Sequence, residues 1–306
     1  ENFRFELSMR KVITNEQFEL IKRLYDYEPN PVKARIIYRK DEGEWFKEKI
    51  NFLPAYGNDS IIVYLFLPKK AKLPYQTVVY FPGIGAFNPI PSEQYLDRTR
   101  VDGTGSFEYI LKTGRAVLFP VYYGTMDRYD AINEQGPNYI KPHQGLTINR
   151  ERLIKQGKDF RKSIDYLQTR DDIDKEKLGY LGYSQGGGEG GVLLAIEKRI
   201  KTAVLVVCGI STRIEVLPEA DRVNYLPHVN QPVLMLNSFY DWNYPYDISQ
   251  KPFFDLLGTP SEHKKLILYK ESGHQIPWNS VVKETLNWYD HYLGKVNHLS
   301  ATKTSN

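Results

Sequence analysis

Gly182-Tyr183-Ser184-Gln185-Gly186 is the stretch of this sequence that leaves the fewest folds open. It reads G-x-S-x-G, follows the apolar run Leu178 to Tyr183 and precedes the apolar run Val192 to Ile196, so it predicts a strand, a tight turn and a helix. A serine on so sharp a turn takes a strained backbone, and neighbours without a Cβ relieve the crowding, which accounts for glycine at 182 and 186. The turn lifts the Ser184 hydroxyl clear of the sheet, at the positive end of the following helix. A bare G-x-S-x-G also fits a glycine-rich structural turn, so the rest of the chain has to decide between the two. Glu189 falls in the first turn of that helix, where the dipole favours a negative charge; the sequence suggests nothing more for it.

The flanking pattern decides for the strained serine. From Gln76 onward, short continuous apolar runs alternate with helical stretches, the signature of strands buried on both faces of a parallel sheet. The predicted strands are 77–81, 116–121, 177–182, 202–208, 232–237 and 265–269. The predicted helices are 107–112, 149–168, 190–198, 249–257 and 277–292. Upstream, Thr14-Asn15-Glu16-Gln17 has the pattern of a capping box, with an apolar face at Phe18, Leu20, Ile21, Leu24 and Tyr25. Trp45 to Ala55 and Ser60 to Leu67 alternate around Tyr56-Gly57-Asn58-Asp59 as an antiparallel hairpin. The expected fold class is α/β: a mostly parallel sheet with helices on both faces, preceded by an N-terminal helix and an antiparallel hairpin. At 306 residues this fits one large catalytic domain over 44–295, an extension over 1–43 packed on it, and a polar tail over 296–306.

Composition removes several function classes. The net charge of +4 is spread along the chain without a basic block, so nucleic acid is not an expected partner. No apolar run approaches the roughly 20 residues of a membrane span, and the mean hydropathy is −0.49. One cysteine, Cys208, permits neither an intrachain disulfide nor a cysteine metal site, and it reads as a buried strand residue. The chain begins at Glu1 rather than Met, which leaves a leader or an upstream domain open, and the compartment with it.

A serine hydroxyl is a weak nucleophile at neutral pH and needs a histidine base oriented by a carboxylate. The strand 232–237 is followed by Ser238-Phe239-Tyr240-Asp241, and the strand 265–269 by Lys270-Glu271-Ser272-Gly273-His274. Ser184, Asp241 and His274 therefore fall at successive strand ends in the order nucleophile, acid, base. Asp247 is the alternative acid, but it lies further along the loop, near a helix start where Asp more often caps. His263 precedes the last strand, at the wrong edge of the sheet; His291 and His298 belong to or follow the terminal helix; His143 and His228 come before the acid. The oxyanion of a tetrahedral intermediate needs two backbone N–H donors. Gln185 supplies one, and the turn Phe81-Pro82-Gly83-Ile84-Gly85 the other, from Ile84 with Gly83 behind it.

The 23 tyrosines and the irregular stretch 124–145 suggest an aromatic-walled cleft, with Tyr123, Tyr183, Tyr240 and Tyr244 as candidate substrate contacts. The bland alternative is ordinary packing for the tyrosines and a surface loop for 124–145.

Several segments resemble a known group. Ala55-Tyr56-Gly57-Asn58, Tyr64 to Lys69, Pro74 to Gly83, Gly114-Arg115-Ala116-Val117, Ser163 to Leu167, Pro232 to Asn237, Ser249-Gln250-Lys251-Pro252, Leu256 to Pro260 and Ser272-Gly273-His274 are similar to the α/β-hydrolase domain at the C-terminus of some bacterial serine/threonine protein kinases. The likeness extends more weakly to dienelactone-hydrolase-like and acetyl-xylan-esterase-like enzymes. It implies a capless or lightly lidded serine hydrolase with Ser184, Asp241 and His274 as nucleophile, acid and base. Gln185 stands where the group commonly has Trp, and Phe239 where it often has Arg, which bears on substrate preference more than on chemistry. The expectation is a serine esterase acting on small-molecule esters, bulky or aromatic ones, with no metal and no organic cofactor; its oligomeric state is open. A prolyl-oligopeptidase-like peptidase is the rival enzyme, although the roughly 75 residues before the sheet are few for a gating domain. A binding or sensory module of the same fold is the rival outside enzymes.

Overall fold

The structure is a computed structural model that describes residues 7–102, 106–129, 142–213, 215–270 and 273–296. Among the described residues, nine strands form one sheet in the order β1-β2-β3-β5-β4-β6-β7-β8-β9. They are β1 (Arg35–Asp41), β2 (Trp45–Phe52), β3 (Ile61–Pro68), β4 (Tyr75–Phe81), β5 (Ala116–Val121), β6 (Ile173–Tyr183), β7 (Thr202–Val206), β8 (Val233–Ser238) and β9 (Lys264–Tyr269). β1, β2, β3 and β5 pair antiparallel, and from β5 through β4, β6, β7 and β8 to β9 every pairing is parallel. The hairpin predicted around residues 56–59 is present as β2 and β3, with Trp45 opposite Pro68 and Phe52 opposite Ile61.

Helices cover both faces. On one face the Asn15–Lys22, Pro142–Gln168, Gln185–Ile196 and Lys251–Leu256 helices bury Phe18, Phe160, Ile164, Leu193 and Phe253 against Val79, Leu118 and Leu205. On the other, Ser92–Asp102, Glu108–Lys112 and Trp278–Tyr292 bury Leu96, Ile110, Val281 and Tyr289 against Val78, Phe119 and Val204. β4, β5, β7 and β8 are buried at every position, which is why their sequences read as unbroken apolar runs.

Two elements escape the sequence reading. β1 is an edge strand exposed at six of its seven positions, and its sequence RIIYRKD alternates too little to mark a face. The Ser92–Asp102 helix is mostly polar and buries Leu96. The boundary drawn between residues 43 and 44 falls inside the turn that joins β1 to β2, so the sheet begins within the segment set aside as an extension. Thr14 caps the first helix as predicted, accepting from the Gln17 N–H while the Gln17 side chain accepts from the Thr14 N–H. Phe18 stacks on His228 at 3.5 Å between ring centroids, and Tyr25 packs edge-on against Tyr225. The tail residues 297–306 lie outside the described residues.

A buried polar cluster fastens the loop after β5 to the longest helix. Asp159, with none of its side chain exposed, accepts from Arg128 Nη1 at 2.5 Å, from the Tyr56 hydroxyl at 2.8 Å and from the Tyr123 N–H at 2.8 Å. Arg128 Nη2 also donates to the Tyr56 hydroxyl. Replacing Asp159 by Ala leaves the buried guanidinium without its counter-charge, and such losses cost about 3–5 kcal/mol. Urea unfolding of Asp159→Ala is expected to show a deficit of that size; a deficit below about 1 kcal/mol would mean that the cluster is not an anchor.

Candidate active site

Four strands of the parallel half end at one edge, and each delivers a piece of the site there. β6 runs into Ser184, whose φ of 53° and ψ of −107° lie outside the regions an L-residue prefers. The geometry forces glycine on both sides. A Cβ on Gly182 would lie 2.4 Å from the Gly186 carbonyl oxygen, and a Cβ on Gly186 would lie 2.2 Å from the Phe81 carbonyl oxygen. The Gln185–Ile196 helix starts directly at the serine, five residues earlier than its apolar run predicts, because glycines at 186 to 188, 190 and 191 hide the start of the helical pattern.

Ser184, His274 and Asp241 form a hydrogen-bonded chain. Ser184 Oγ lies 2.8 Å from His274 Nε2, and His274 Nδ1 lies 2.8 Å from Asp241 Oδ2. Asp241 is 2% exposed, and its Oδ1 accepts from the backbone N–H groups of Asn243 at 2.8 Å and Tyr244 at 3.2 Å. The carboxylate therefore keeps its partners within a tight turn after β8. Asp247 lies outside the chain, in the π-helical turn Tyr246–Gln250. His263 pairs with the Tyr292 hydroxyl, and His228 stacks on Phe18. His298 lies outside the described residues.

The loop after β4 lies against the serine. The Pro82 carbonyl accepts from the Gly186 N–H at 3.1 Å. A Cβ on Gly83 would sit 3.4 Å from Ser184 Cβ. Ile84 opens a short 3₁₀ turn, Ile84–Ala86, and lines the same cleft as Ser184, Gln185 and His274.

That cleft has a volume of about 330 Å³. Its apolar lining is Ile84, Phe87, Leu153, Val216 and Ala220, and its polar lining includes Asn149, Arg152, Glu189, Arg213, Arg222 and Asn243. Of the four tyrosines proposed as contacts Tyr244 lines this cleft, together with Phe87, and Tyr123, Tyr183 and Tyr240 do not. Burial pushes the Tyr244 hydroxyl up to about 12, so it stays neutral. Tyr123 packs edge-on against Tyr56 beneath the Lys155 ammonium, Tyr183 is partly buried behind the serine against Gly83, and Tyr240 is 62% exposed against Phe239. Part of the tyrosine excess is core: Tyr122 stacks on Phe81, the Tyr180 hydroxyl donates to the Gly186 carbonyl, and the Tyr289 hydroxyl donates to the Tyr180 carbonyl. Of the stretch 124–145, residues 130–141, Tyr139 among them, lie outside the described residues.

Glu189, unexplained by the sequence, lies at the cleft floor. Its Oε1 accepts from Gln185 Nε2 at 2.5 Å and from Arg222 Nη2 at 3.0 Å, tying the residue after the serine to the segment that follows β7. Arg152, Leu153, Arg213, Val216, Ala220 and Arg222 went unread because they come from a helix flank and from the irregular segment after β7, where no motif or period marks a lining residue. Among the described residues, no group of three or more His, Cys, Asp or Glu could hold a metal ion, and no helix is long and apolar enough to cross a membrane.

The strand order, the strained serine between β6 and its helix, and the acid and histidine turns after β8 and β9 define the α/β-hydrolase fold. Solved structures share it. An acetyl xylan esterase from a Paenibacillus species superposes with a TM-score of 0.66 at 15% identity, covering 93% of this chain and 97% of that one. Acetyl xylan esterase 1 from a Thermoanaerobacterium species gives 0.66 at 13% identity, covering 91% and 94%. A putative dienelactone hydrolase from Klebsiella pneumoniae gives 0.59 at 16% identity, covering 86% and 100%. The likeness to these two groups holds at the level of fold, while the likeness to the kinase-appended domain rests on the sequence segments alone. Among curated proteins, the platelet-activating factor acetylhydrolase of Bos taurus is 27% identical over 225 residues, 66% of this chain and 47% of that protein. The chain thus spans about half the length of the curated relative it matches. No protein-family profile matches it.

The collision at Gly186 is testable without an assay. Gly186→Ala places a methyl on the Phe81 carbonyl and is expected to lose more than about 4 kcal/mol. Gly85→Ala, whose new Cβ would meet nothing nearer than Tyr95 at 4.0 Å, is expected to stay within about 0.5 kcal/mol of the parent in the same melt. Equal melting of the two variants would remove the steric account of the turn.

Proposed function

We propose that this chain is a serine-dependent carboxylic ester hydrolase working through an acyl-enzyme. The observation that carries the reading is the unbroken relay from Ser184 Oγ through His274 to Asp241, 2.8 Å at each step, opening into a cleft beside a strained serine. Ester hydrolases among the proteins of similar fold support it, as does the acetylhydrolase matched in sequence.

In this mechanism His274 Nε2 takes the Ser184 proton as Oγ attacks the ester carbonyl, and Asp241 holds the ring with Nδ1–H toward it and stabilises the imidazolium that forms. The oxyanion is received by the backbone N–H groups of Gln185 and Ile84, with Gly83 leaving room for the carbonyl. His274 then gives its proton to the leaving alcohol. A water enters and attacks the acyl carbonyl as the same nitrogen takes its proton; that proton then passes to Ser184 Oγ as the bond from Oγ to the acyl carbon breaks, and the acid leaves. The Glu189 clamp on the Gln185 side chain steadies the backbone that carries the first donor.

The cleft volume and its apolar walls favour an acyl group bulkier than acetyl, although the aromatic recognition first expected has one lining tyrosine to support it, Tyr244. In a p-nitrophenyl ester series, kcat/KM is expected to rise from acetyl to butyryl; a maximum at acetyl would overturn the bulky-ester reading. Ser184→Ala is expected to lose about 10³-fold or more in kcat and to abolish labelling by a fluorophosphonate probe. A folded wild type that neither labels nor hydrolyses any ester would instead support the non-catalytic binding module.

A further inference from the structure

We propose that Arg10 is a positioning residue for the substrate: its guanidinium ties together the two ends of one wall of the cleft, so ester selectivity depends on a side chain that does not line the cleft; this inference rests on the hydrolase reading. The make-up of that wall is the starting observation. Ser211, Arg213, Val216, Ala220 and Arg222 all line the cleft, and all come from the stretch that runs from β7 into the 3₁₀ turn Arg222–Asn224. Between β7 and that turn the described residues form neither helix nor strand. A wall without regular structure owes its shape to what it rests against, because ordering it costs conformational entropy that its own backbone bonds do not offset.

It rests against residues 10–25. Arg10 Nη1 donates to Asp221 Oδ1 at 2.7 Å, and Arg10 Nη2 donates to the Ser211 carbonyl. Both side chains of the ion pair are 6% exposed. One planar group thus bridges the residues that open and close the wall, a task that suits the fork of a guanidinium and not the single ammonium of a lysine. Two further contacts support the interior of the wall. The Asn224 side chain accepts from the Ile13 N–H at 3.1 Å and donates to the Lys11 carbonyl at 3.2 Å and the Pro218 carbonyl at 2.9 Å. The Tyr225 hydroxyl donates to the Glu219 carbonyl at 2.6 Å, which leaves it to accept from the Tyr25 hydroxyl at 3.3 Å. Arg10 is the contact that spans the wall from end to end. Val216 and Ala220, its apolar residues, lie between the two points that Arg10 holds. Without the fork those points can separate, and the wall retreats from an acyl chain long enough to touch it. An acetyl group, with one methyl beyond its carbonyl, has little to lose. Arg222, next to Asp221, passes the same displacement to Glu189 and Gln185, which affects every ester alike. Selectivity and overall rate are therefore separable.

The readout is the ratio of kcat/KM for p-nitrophenyl butyrate over p-nitrophenyl acetate, from which losses common to both esters cancel. Arg10→Gln and Asp221→Asn are each expected to lower the wild-type ratio about fivefold or more, and Arg10→Lys to keep part of it. The double variant is expected to lose no more than the larger single loss, because the two residues act through one contact. Arg115→Gln is the control. It breaks an arginine ion pair on the other face of the sheet, with Asp290 at 2.6 Å and a guanidinium 1% exposed, so it is expected to lower stability and leave the ratio within about twofold of the wild type. A ratio within about twofold of the wild type in folded Arg10→Gln, or an equal shift in Arg115→Gln, would overturn the proposal. If Arg10→Gln does not fold, Arg10→Lys and Asp221→Asn decide by the same ratio. If the wild type hydrolyses no ester, the hydrolase reading fails by itself, and hydrogen exchange decides whether Arg10 holds the wall. Exchange at residues 215–222 about tenfold faster in Arg10→Gln, with the Gln185–Ile196 helix unchanged, supports it; equal exchange overturns it.

Discussion

The contact between Gly186 and the Phe81 carbonyl sets the spacing on which the rest of the molecule is built. It brings the Gln185–Ile196 helix so close to β4 and β6 that no Cβ fits between them, and the chain can make that approach only by turning through an unfavourable conformation at Ser184. Such a residue costs on the order of 1–3 kcal/mol. Four hydrogen bonds hold it there: Ser184 N–H to the Val206 carbonyl at 2.8 Å, Gly186 N–H to Pro82 at 3.1 Å, Gly188 N–H to Ser184 at 3.0 Å, and the Tyr180 hydroxyl to Gly186 at 2.6 Å. Because those bonds reach β4, β6 and β7, the position of the serine is fixed by the centre of the sheet rather than by its own loop.

The acid and the histidine depend on the sheet in a different way. β8 and β9 lie side by side and parallel, with Ser238 opposite Tyr269, so the turns that follow them emerge together at the edge where Ser184 stands. The Phe239 N–H donates to the Tyr269 carbonyl at 2.9 Å, which carries the pairing one residue beyond the strand. The reach from Asp241 to His274 thus starts from strand register.

This division explains what could be read in the sequence. Ser184, Asp241 and His274 each stand a few residues after an apolar run, and a run buried on both faces is visible in one dimension. The same holds for the helices that carry a clear apolar stripe. β1 and the Ser92–Asp102 helix are exposed or mostly polar, so burial left little trace in them. The tyrosines misled for a related reason: Tyr122 and Tyr289 satisfy their hydroxyls on strand carbonyls and Tyr180 on a carbonyl of the Gln185–Ile196 helix, so a polar-tipped ring is suited to this core as well as to a cleft. The walls of the cleft were illegible because Phe87, Arg152, Arg213 and Arg222 meet only through space, from segments far apart in the chain. Glu189 had a position in the sequence but its charged partner was out of sight, since Arg222 is 33 residues away.

Cys208 gives the tight spacing at the serine turn an observable of its own. The only thiol in the chain lies just beyond β7, fully buried, where a Cβ on Gly187 would come within 2.6 Å of its Cβ, and burial pushes the thiol far above its usual range. In the closed molecule it is a small apolar filler without thiolate character. A disulfide reagent can reach it only when the packing around it opens, so its rate of modification in native buffer reports openings of the sheet edge beside the serine turn.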